Sequence, residues 1–190
     1  ANHPPAGLSG RLGQGFRQYS RYSYRFTRKE DTDTYHITQR FQTPLHPVLQ
    51  INARKEKIRS VKVNDVPATW QSIESAHGYP LLSIQAEGTS STTITIEWEG
   101  APLHTLAAQE PVIASNGKLA LQIPSGASIS QVYDPQSVLA KHTMGATAFN
   151  AQIKGEPGHH TFFVYTHQGE MDWWQPVNIY IENTRKAPSY

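Results

Sequence analysis

Apolar and polar residues alternate with a period of two along most of this chain. The clearest stretch is 93–98, where Ile94, Ile96 and Trp98 alternate with polar residues. Successive side chains of a β-strand point to opposite faces of a sheet, so this stretch predicts a strand with one apolar face. No window shows a convincing helical period, although 135–140 is compatible with one helical turn. The pattern therefore predicts an all-β protein.

Turn residues divide the alternating stretches into short strands that recur roughly every 8 to 12 residues, a spacing typical of β-sandwiches. In the first half of the chain, a hairpin is expected within 22–41, and further strands are predicted at 48–53, 58–63, 68–73, 81–86 and 93–98. In the second half, strands are predicted at 119–123, 129–133, 146–154, 160–167 and 174–182. We therefore predict two sandwich-like units of mostly antiparallel strands.

Glycine and proline residues set the predicted domain boundaries. Residues 1–17 carry four glycines with little periodicity and are expected to form an extended lead-in. The first unit is expected at 18–100, followed by a proline-containing linker at 101–110 and the second unit at 111–183. Residues 184–190 resemble a linker or tail, which predicts that the chain belongs to a longer polypeptide.

Charge and composition exclude several classes of function. The chain has 190 residues and a formal net charge of +2, so no strong field would attract nucleic acid or an anionic membrane. It has no cysteine, which excludes disulfides, thiolate metal sites and cysteine nucleophiles. No apolar run approaches the roughly 18 residues of a membrane-spanning helix, so membrane insertion is not expected. No glycine-rich phosphate loop and no signal peptide are visible, and no cofactor is expected.

Two adjacent tryptophans, Trp173 and Trp174, stand where the last predicted strand begins. In a strand they point to opposite faces, and Trp173 is in phase with the apolar Val177, Ile179 and Ile181. The opposite face would then carry Trp174, Asn178 and Tyr180, with Phe163, Tyr165 and His167 on the preceding strand.

These outward residues allow three interpretations. Aromatic rings on a rigid sheet anchor an interface with the first unit or with a separate catalytic domain. They also stack on sugar rings while neighbouring polar side chains bind the hydroxyls. The third interpretation is a strand whose two faces are both buried.

Ionisable residues give little support for chemistry in the chain. The nine histidines show no metal-ligand spacing, and His159 and His167 share a strand face but would lie roughly 26 Å apart. The basic run at 54–62 lacks the interleaved aromatic residues of a nucleic-acid surface, which predicts a solvated loop and strand. No metal site and no nucleic-acid partner are therefore expected.

Two carboxylate pairs have the residue types of a general acid and base, namely Asp31 with Asp33 and Glu170 with Asp172. Carboxylates in hairpin loops are usually solvated turn formers, and nothing else in the sequence marks either pair. Nor does the nucleophile motif G-x-S-x-G occur. The isolated chain is therefore expected to have no catalytic activity.

Two further tryptophans are predicted to lie in the core of the first unit. Trp98 completes the inward set of Ile94 and Ile96. Trp70 follows a predicted turn at 64–67 and is in phase with Ala68 on the returning strand.

Several segments together resemble a known class of module. Residues 61–70 (VKVNDVPATW), 78–84 (GYPLLSI) and 93–98 (TITIEW) resemble β-sandwich modules of bacterial glycoside hydrolases, which often carry a V-x-V-N-G turn followed by a tryptophan. This chain has Asp65 where that glycine is usual. Residues 155–164 (GEPGHHTFFV) resemble the penultimate strand of immunoglobulin-like domains.

The resemblance implies two immunoglobulin-like or jelly-roll-like sandwiches, the second immunoglobulin-like, in a periplasmic or extracellular multidomain enzyme. It implies an accessory module that packs against and orients a catalytic domain of the same polypeptide. The alternative is a carbohydrate-binding module that binds a polysaccharide through Trp174, Tyr180 and Tyr165. No catalytic residue is carried over, because none of the matched positions is catalytic in such modules.

Overall fold

A computed structural model describes residues 16–19, 21–104, 106 and 110–183. Every regular element in these ranges is a β-strand, which confirms the predicted all-β class. The chain divides into two compact units: residues up to 73 with 80–103, and residues 74–79 with 104 onwards. Residues 74–79, which lie within the range predicted for the first unit, thus belong to the second. Residues 1–15 of the predicted lead-in and the predicted tail at 184–190 lie outside the described residues.

The first unit is built from two antiparallel sheets. Its strands are β1 (Phe16–Tyr19), β2 (Tyr22–Lys29), β3 (Thr32–Gln39), β4 (Val48–Asn52), β5 (Lys55–Val63), β6 (Val66–Pro67), β7 (Gln71–Ser72), β8 (Leu81–Gln85) and β9 (Ser91–Pro102). The larger sheet has the order β1-β2-β3-β9-β5-β6, and the smaller has the order β4-β8-β7. The described residues include no helix that could span a membrane.

Buried residues alternate along the strands of this unit as the sequence predicts. On β9, Ile94, Ile96 and Trp98 are each at most 1% exposed, whereas the intervening residues remain partly accessible. On β8 of the smaller sheet, Leu82 and Ile84 are completely buried. Each sheet therefore has one buried apolar face, as in a sandwich.

Asp33 is a buried residue of β3, which corrects the expectation that it is a solvated turn former. It is 1% exposed, because the turn occupies only residues 30–31 and Asp33 is in phase with the buried residues of the strand. Arg28 donates to both carboxylate oxygens, at 2.7 and 3.1 Å. The indole N–H of Trp98 donates at 3.0 Å, and Arg54 Nη1 lies 3.4 Å from Oδ1. A buried carboxylate needs such partners, so Asp33 has a structural role.

The basic run at 54–62 is only partly solvated, contrary to expectation. The Arg54 side chain is 21% exposed and donates to the Glu30 carbonyl oxygen at 2.7 Å. Lys55 Nζ lies 2.8 Å from the Asp31 carboxylate, and this hydrogen bond lowers the pKa of Asp31. The first two basic residues of the run therefore hold the β2–β3 turn.

Trp70 is not a core residue, and this prediction was wrong. The expected strand at 68–73 is replaced by the two-residue strands β6 and β7, and Trp70 is half-buried between them. Pro67 lacks a backbone N–H, which limits its pairing in the ladder. The preceding turn does form: Asn64 and Asp65 have φ of 51° and 64°, and positive φ at both central residues is what a type I′ turn requires.

The described residues of the second unit form seven strands in two sheets. They are β10 (Val112–Ala114), β11 (Lys118–Gln122), β12 (Ala127–Tyr133), β13 (Leu139–Met144), β14 (Ala148–Ile153), β15 (Gly158–Gln168) and β16 (Met171–Glu182). One sheet has the order β10-β16-β15-β12, and the other has the order β11-β14-β13. The pairing of β10 with β16 is parallel and the other strand pairs are antiparallel. A four-stranded and a three-stranded sheet, each made of short strands, confirm the predicted sandwich-like unit.

The core of this unit lies between its two sheets, with Phe149 and Ile153 of β14 facing Phe162 and Val177 of the other sheet. The expected helical turn at 135–140 is absent. Instead, the Asp134 carboxylate accepts hydrogen bonds from the backbone N–H groups of Val138 and Leu139, at 3.1 and 2.8 Å. These contacts lead the chain into β13, a strand that the sequence did not predict because five of its six residues are exposed.

We expect Trp98→Ala to lower the stability of the first unit by about 3 to 5 kcal/mol, because it removes a buried ring and the indole donor to Asp33. Trp70→Ala is the matched control and should cost much less, since Trp70 is half-buried. Calorimetric unfolding of both variants measures the difference. An unchanged transition for Trp98→Ala would show that the inward assignment of Trp98 is wrong.

We expect Tyr24→Phe to retain or increase stability at neutral pH. Tyr24 is 7% exposed, and among the described residues its hydroxyl has no hydrogen-bond partner. Burial raises the pKa of Tyr24 from 10.0 to about 12. The unfolded chain therefore loses this proton first, and stability that is complete below pH 10 falls as the pH rises towards 12.

Denaturant unfolding at pH 8 and pH 11 tests this prediction. Tyr24→Phe should reduce the alkaline loss of stability, whereas Tyr79→Phe, which changes an exposed tyrosine of the second unit, should leave the loss as it is. An alkaline loss that is identical in Tyr24→Phe and the parent chain would contradict the prediction.

Candidate functional site

The final hairpin positions most of the predicted contact residues. Strands β15 and β16 pair antiparallel without a register shift, and Trp174 is directly opposite Tyr165. Trp173 is 1% exposed and in phase with the fully buried Val177 and Ile179. Trp174 consequently points to the outer face of the sheet, where it is half-buried.

Four aromatic rings lie side by side on this outer face, and we call Tyr133, Phe163, Tyr165 and Trp174 the aromatic patch. The ring centroids of Tyr165 and Trp174 are 4.9 Å apart. The Tyr133 ring lies 6.1 Å from that of Phe163 and 6.4 Å from that of Trp174. Rings at these separations attract one another, so the patch is ordered before any partner binds.

Tyr133 was not among the predicted site residues. It is 57% exposed, and a strict period of two would have placed it on the same face as Ile129. A register shift between Ile129 and Gln131 inserts Ser130 as an extra residue. Such a β-bulge reverses the phase of the residues that follow, so Val132 faces inward and Tyr133 outward.

Tyr180 and Asn178 lie on the same strand face but outside the aromatic patch. Tyr180 is six positions after Trp174, which corresponds to roughly 20 Å along a strand. The Tyr180 ring contacts the His159 ring edge-on at 5.0 Å. Asn178 Oδ1 accepts a hydrogen bond from the Thr161 hydroxyl at 2.7 Å. The structure therefore brings together four of the six predicted residues: Phe163, Tyr165, His167 and Trp174.

His167 links the patch to two polar side chains. Its Nδ1 is hydrogen-bonded to Asp172 Oδ1, and its Nε2 lies 2.7 Å from Ser130 Oγ. The imidazole also packs edge-on against the Tyr165 ring, with centroids 4.9 Å apart. Sequence reasoning treated Asp172 only as a partner of Glu170 and did not consider Ser130. No motif could have found them, because Ser130 lies on β12 and the other two residues flank a turn.

Residues 76–78 complete the sheet beside Trp174. The Trp174 N–H donates to the Ala76 carbonyl oxygen at 2.9 Å, and the Gly78 N–H donates to the Trp174 carbonyl oxygen at 2.8 Å. The His77 ring lies 5.5 Å from the Phe163 ring. The main chain of Trp174 is therefore fixed, and the position of its ring is set by the sheet.

Acidic side chains lie near Tyr165 and favour its protonated form. Burial raises the pKa of Tyr165, and the negative charges of Asp172 and Glu74 raise it further. The Tyr165 hydroxyl therefore remains a hydrogen-bond donor. Within the described ranges, no group of three or more His, Cys, Asp or Glu side chains could hold a metal ion.

Comparisons with known proteins give only loose likenesses. No family model and no curated protein matches the chain. Among solved structures, the N-terminal Ig1-2 module of the Drosophila receptor protein tyrosine phosphatase DLAR is similar over 80% of this chain and 91% of that one, with 9% identity and a TM-score of 0.28. The tandem Ig repeats of Dlar are similar over 86% and 99%, with 11% identity and a TM-score of 0.25. At these scores the likeness supports no statement about function.

We expect the two adjacent tryptophans to respond differently to truncation. Trp173→Ala should destabilise the second unit by about 3 to 5 kcal/mol, since the ring is completely enclosed. Trp174→Ala should cost considerably less, because only part of its ring is covered by Tyr165 and Tyr133. Thermal unfolding of the two variants measures this. The opposite order would mean that the strand phase is shifted by one residue and that the outer face is misassigned.

Proposed function

We propose that this chain is an accessory module of a larger carbohydrate-active enzyme and that its aromatic patch contacts a catalytic domain of the same polypeptide. The observation that carries the proposal is the contiguity of four aromatic rings on the outer face of a sheet. Antiparallel sheets commonly present polar residues on a solvated face, whereas Trp and Tyr are enriched at interfaces and in their energetic hot spots.

The rigidity of the patch favours an orienting role. Its rings belong to three paired strands, and the main chain of Trp174 is hydrogen-bonded to residues 76–78. A partner that binds such a surface has its orientation fixed at little entropic cost. In this proposal the module itself performs no glycosidic chemistry, and the enzyme acts in the periplasm or outside the cell, as the resemblance of residues 61–98 to glycoside hydrolase modules implies.

Side-chain footprinting of the long polypeptide that contains the catalytic domain tests the interface. We expect Tyr133, which is 57% exposed in the chain described here, to be protected in that polypeptide. Trp174→Ala should make Tyr133 accessible again without unfolding the module. Tyr180→Ala is the matched control, because it removes a ring from the same strand face outside the patch and should leave Tyr133 protected. Equal labelling of Tyr133 in the long polypeptide and in the isolated chain would contradict the proposal.

A second candidate is a carbohydrate-binding module. It is favoured by the polar side chains beside Trp174 and Tyr165, since Asp172 and Ser130 offer groups that bind sugar hydroxyls. A glycan array probed with the isolated chain would then show binding that is lost in Trp174→Ala and kept in Tyr180→Ala. The absence of glycan binding, together with protection of Tyr133 in the long polypeptide, would favour the interface.

A further inference from the structure

We propose that Ser130 is an activated nucleophile that attacks carboxylic esters, with His167 as its general base and Asp172 as the residue that orients His167. This activity goes beyond the proposed accessory function and is a property of the isolated chain. The three side chains form a continuous hydrogen-bonded chain on the outer face of β12, β15 and β16. Ser130 Oγ lies 2.7 Å from His167 Nε2, and His167 Nδ1 is bonded to Asp172 Oδ1.

The chemistry of these groups assigns the protons. An ionised carboxylate only accepts hydrogen bonds, so Nδ1 of His167 must carry the proton that Asp172 accepts. In the neutral imidazole Nε2 is then the acceptor, and the Ser130 hydroxyl donates to it. This is the order of donors and acceptors that activates a serine in serine hydrolases of unrelated folds.

The β-bulge explains why this serine reaches the histidine. In the register of β12 with β15, Ile129 is opposite Thr166 and Gln131 is opposite Tyr165, which leaves Ser130 as the extra residue. Bulges redirect a side chain and take the backbone of the extra residue out of the ladder. The bulge thus gives Ser130 an outward position within hydrogen-bond distance of His167.

The supporting residues hold the base in place. His167 packs edge-on against Tyr165, which in turn packs against Trp174. Asp172 and His167 face each other across the β15–β16 turn as register partners. The base and its orienting carboxylate are thus carried by paired strands, which fix a constellation more accurately than loops do.

The reaction is an ordinary ester hydrolysis. Ser130 Oγ forms a bond to the carbonyl carbon while its proton passes to His167 Nε2. The tetrahedral species collapses, the bond from carbon to the alcohol oxygen breaks, and His167 returns the proton to the leaving alcohol. Water then attacks the acyl-serine with His167 again as base, which releases the carboxylic acid and regenerates the Ser130 hydroxyl.

A fluorophosphonate reagent, followed by intact mass and peptide mapping, tests the nucleophile directly. We expect one adduct at Ser130, which disappears in Ser130→Ala and forms roughly 100-fold more slowly in His167→Gln. Ser128→Ala is the matched control, because it removes another exposed hydroxyl of β12 and should leave the adduct unchanged. Release of 4-nitrophenol from 4-nitrophenyl acetate should follow the same order among the variants.

The role of Asp172 is tested by rescue. Asp172→Asn should slow the formation of the adduct, and Asp172→Glu should restore part of the rate, whereas both variants should keep the melting temperature of the parent chain. No adduct in the parent chain, labelling of Ser128 at the same rate as Ser130, or an unchanged rate in His167→Gln would each overturn the proposal.

Discussion

The first unit is organised around a buried charge. The Asp33 carboxylate joins Arg28 of β2, the indole of Trp98 on β9 and Arg54, which precedes β5. Hydrophobic burial has no preferred direction, so it would tolerate several registers of these strands. The carboxylate restricts them, because losing one partner of a buried ion pair costs about 3 to 5 kcal/mol. The arrangement of the sheet around β3 therefore depends on hydrogen-bond geometry as well as on apolar area.

Alternation in the sequence predicted the parts of the fold in which burial alone decides the conformation. It placed Trp98 in the core and Trp173 and Trp174 on opposite faces. It failed for Asp33, a polar residue at an inward position. Gln39 is also inward: it is 5% exposed and hydrogen-bonds to the main chain at Leu45 and Thr89. A linear pattern shows neither the distant donor nor the distant acceptor that makes such burial possible.

The outer face of the second unit shows the same limit more sharply. Phe163, Tyr165, His167 and Trp174 could be grouped from strand phase because they lie on one hairpin. Tyr133 and Ser130 could not be placed, since a single inserted residue on β12 changes which side chains face outward. Tyr180 shares their strand face but lies roughly 20 Å along the strand from Trp174. The register of the paired strands, and not the sequence pattern alone, therefore decides which residues lie beside one another on this face.

The assignment of residues 74–79 to the second unit limits how recombination can separate the two units. Residues 80–103 return to the first unit, so neither unit is encoded by one uninterrupted stretch of the gene. A recombination event with a single breakpoint between residues 80 and 103 would separate Ala76 and Gly78 from the strand that contains Trp174, and their hydrogen bonds would be lost. Backbone groups that lose their partners in a sheet destabilise it. Recombination between genes is therefore expected to transfer the two units together.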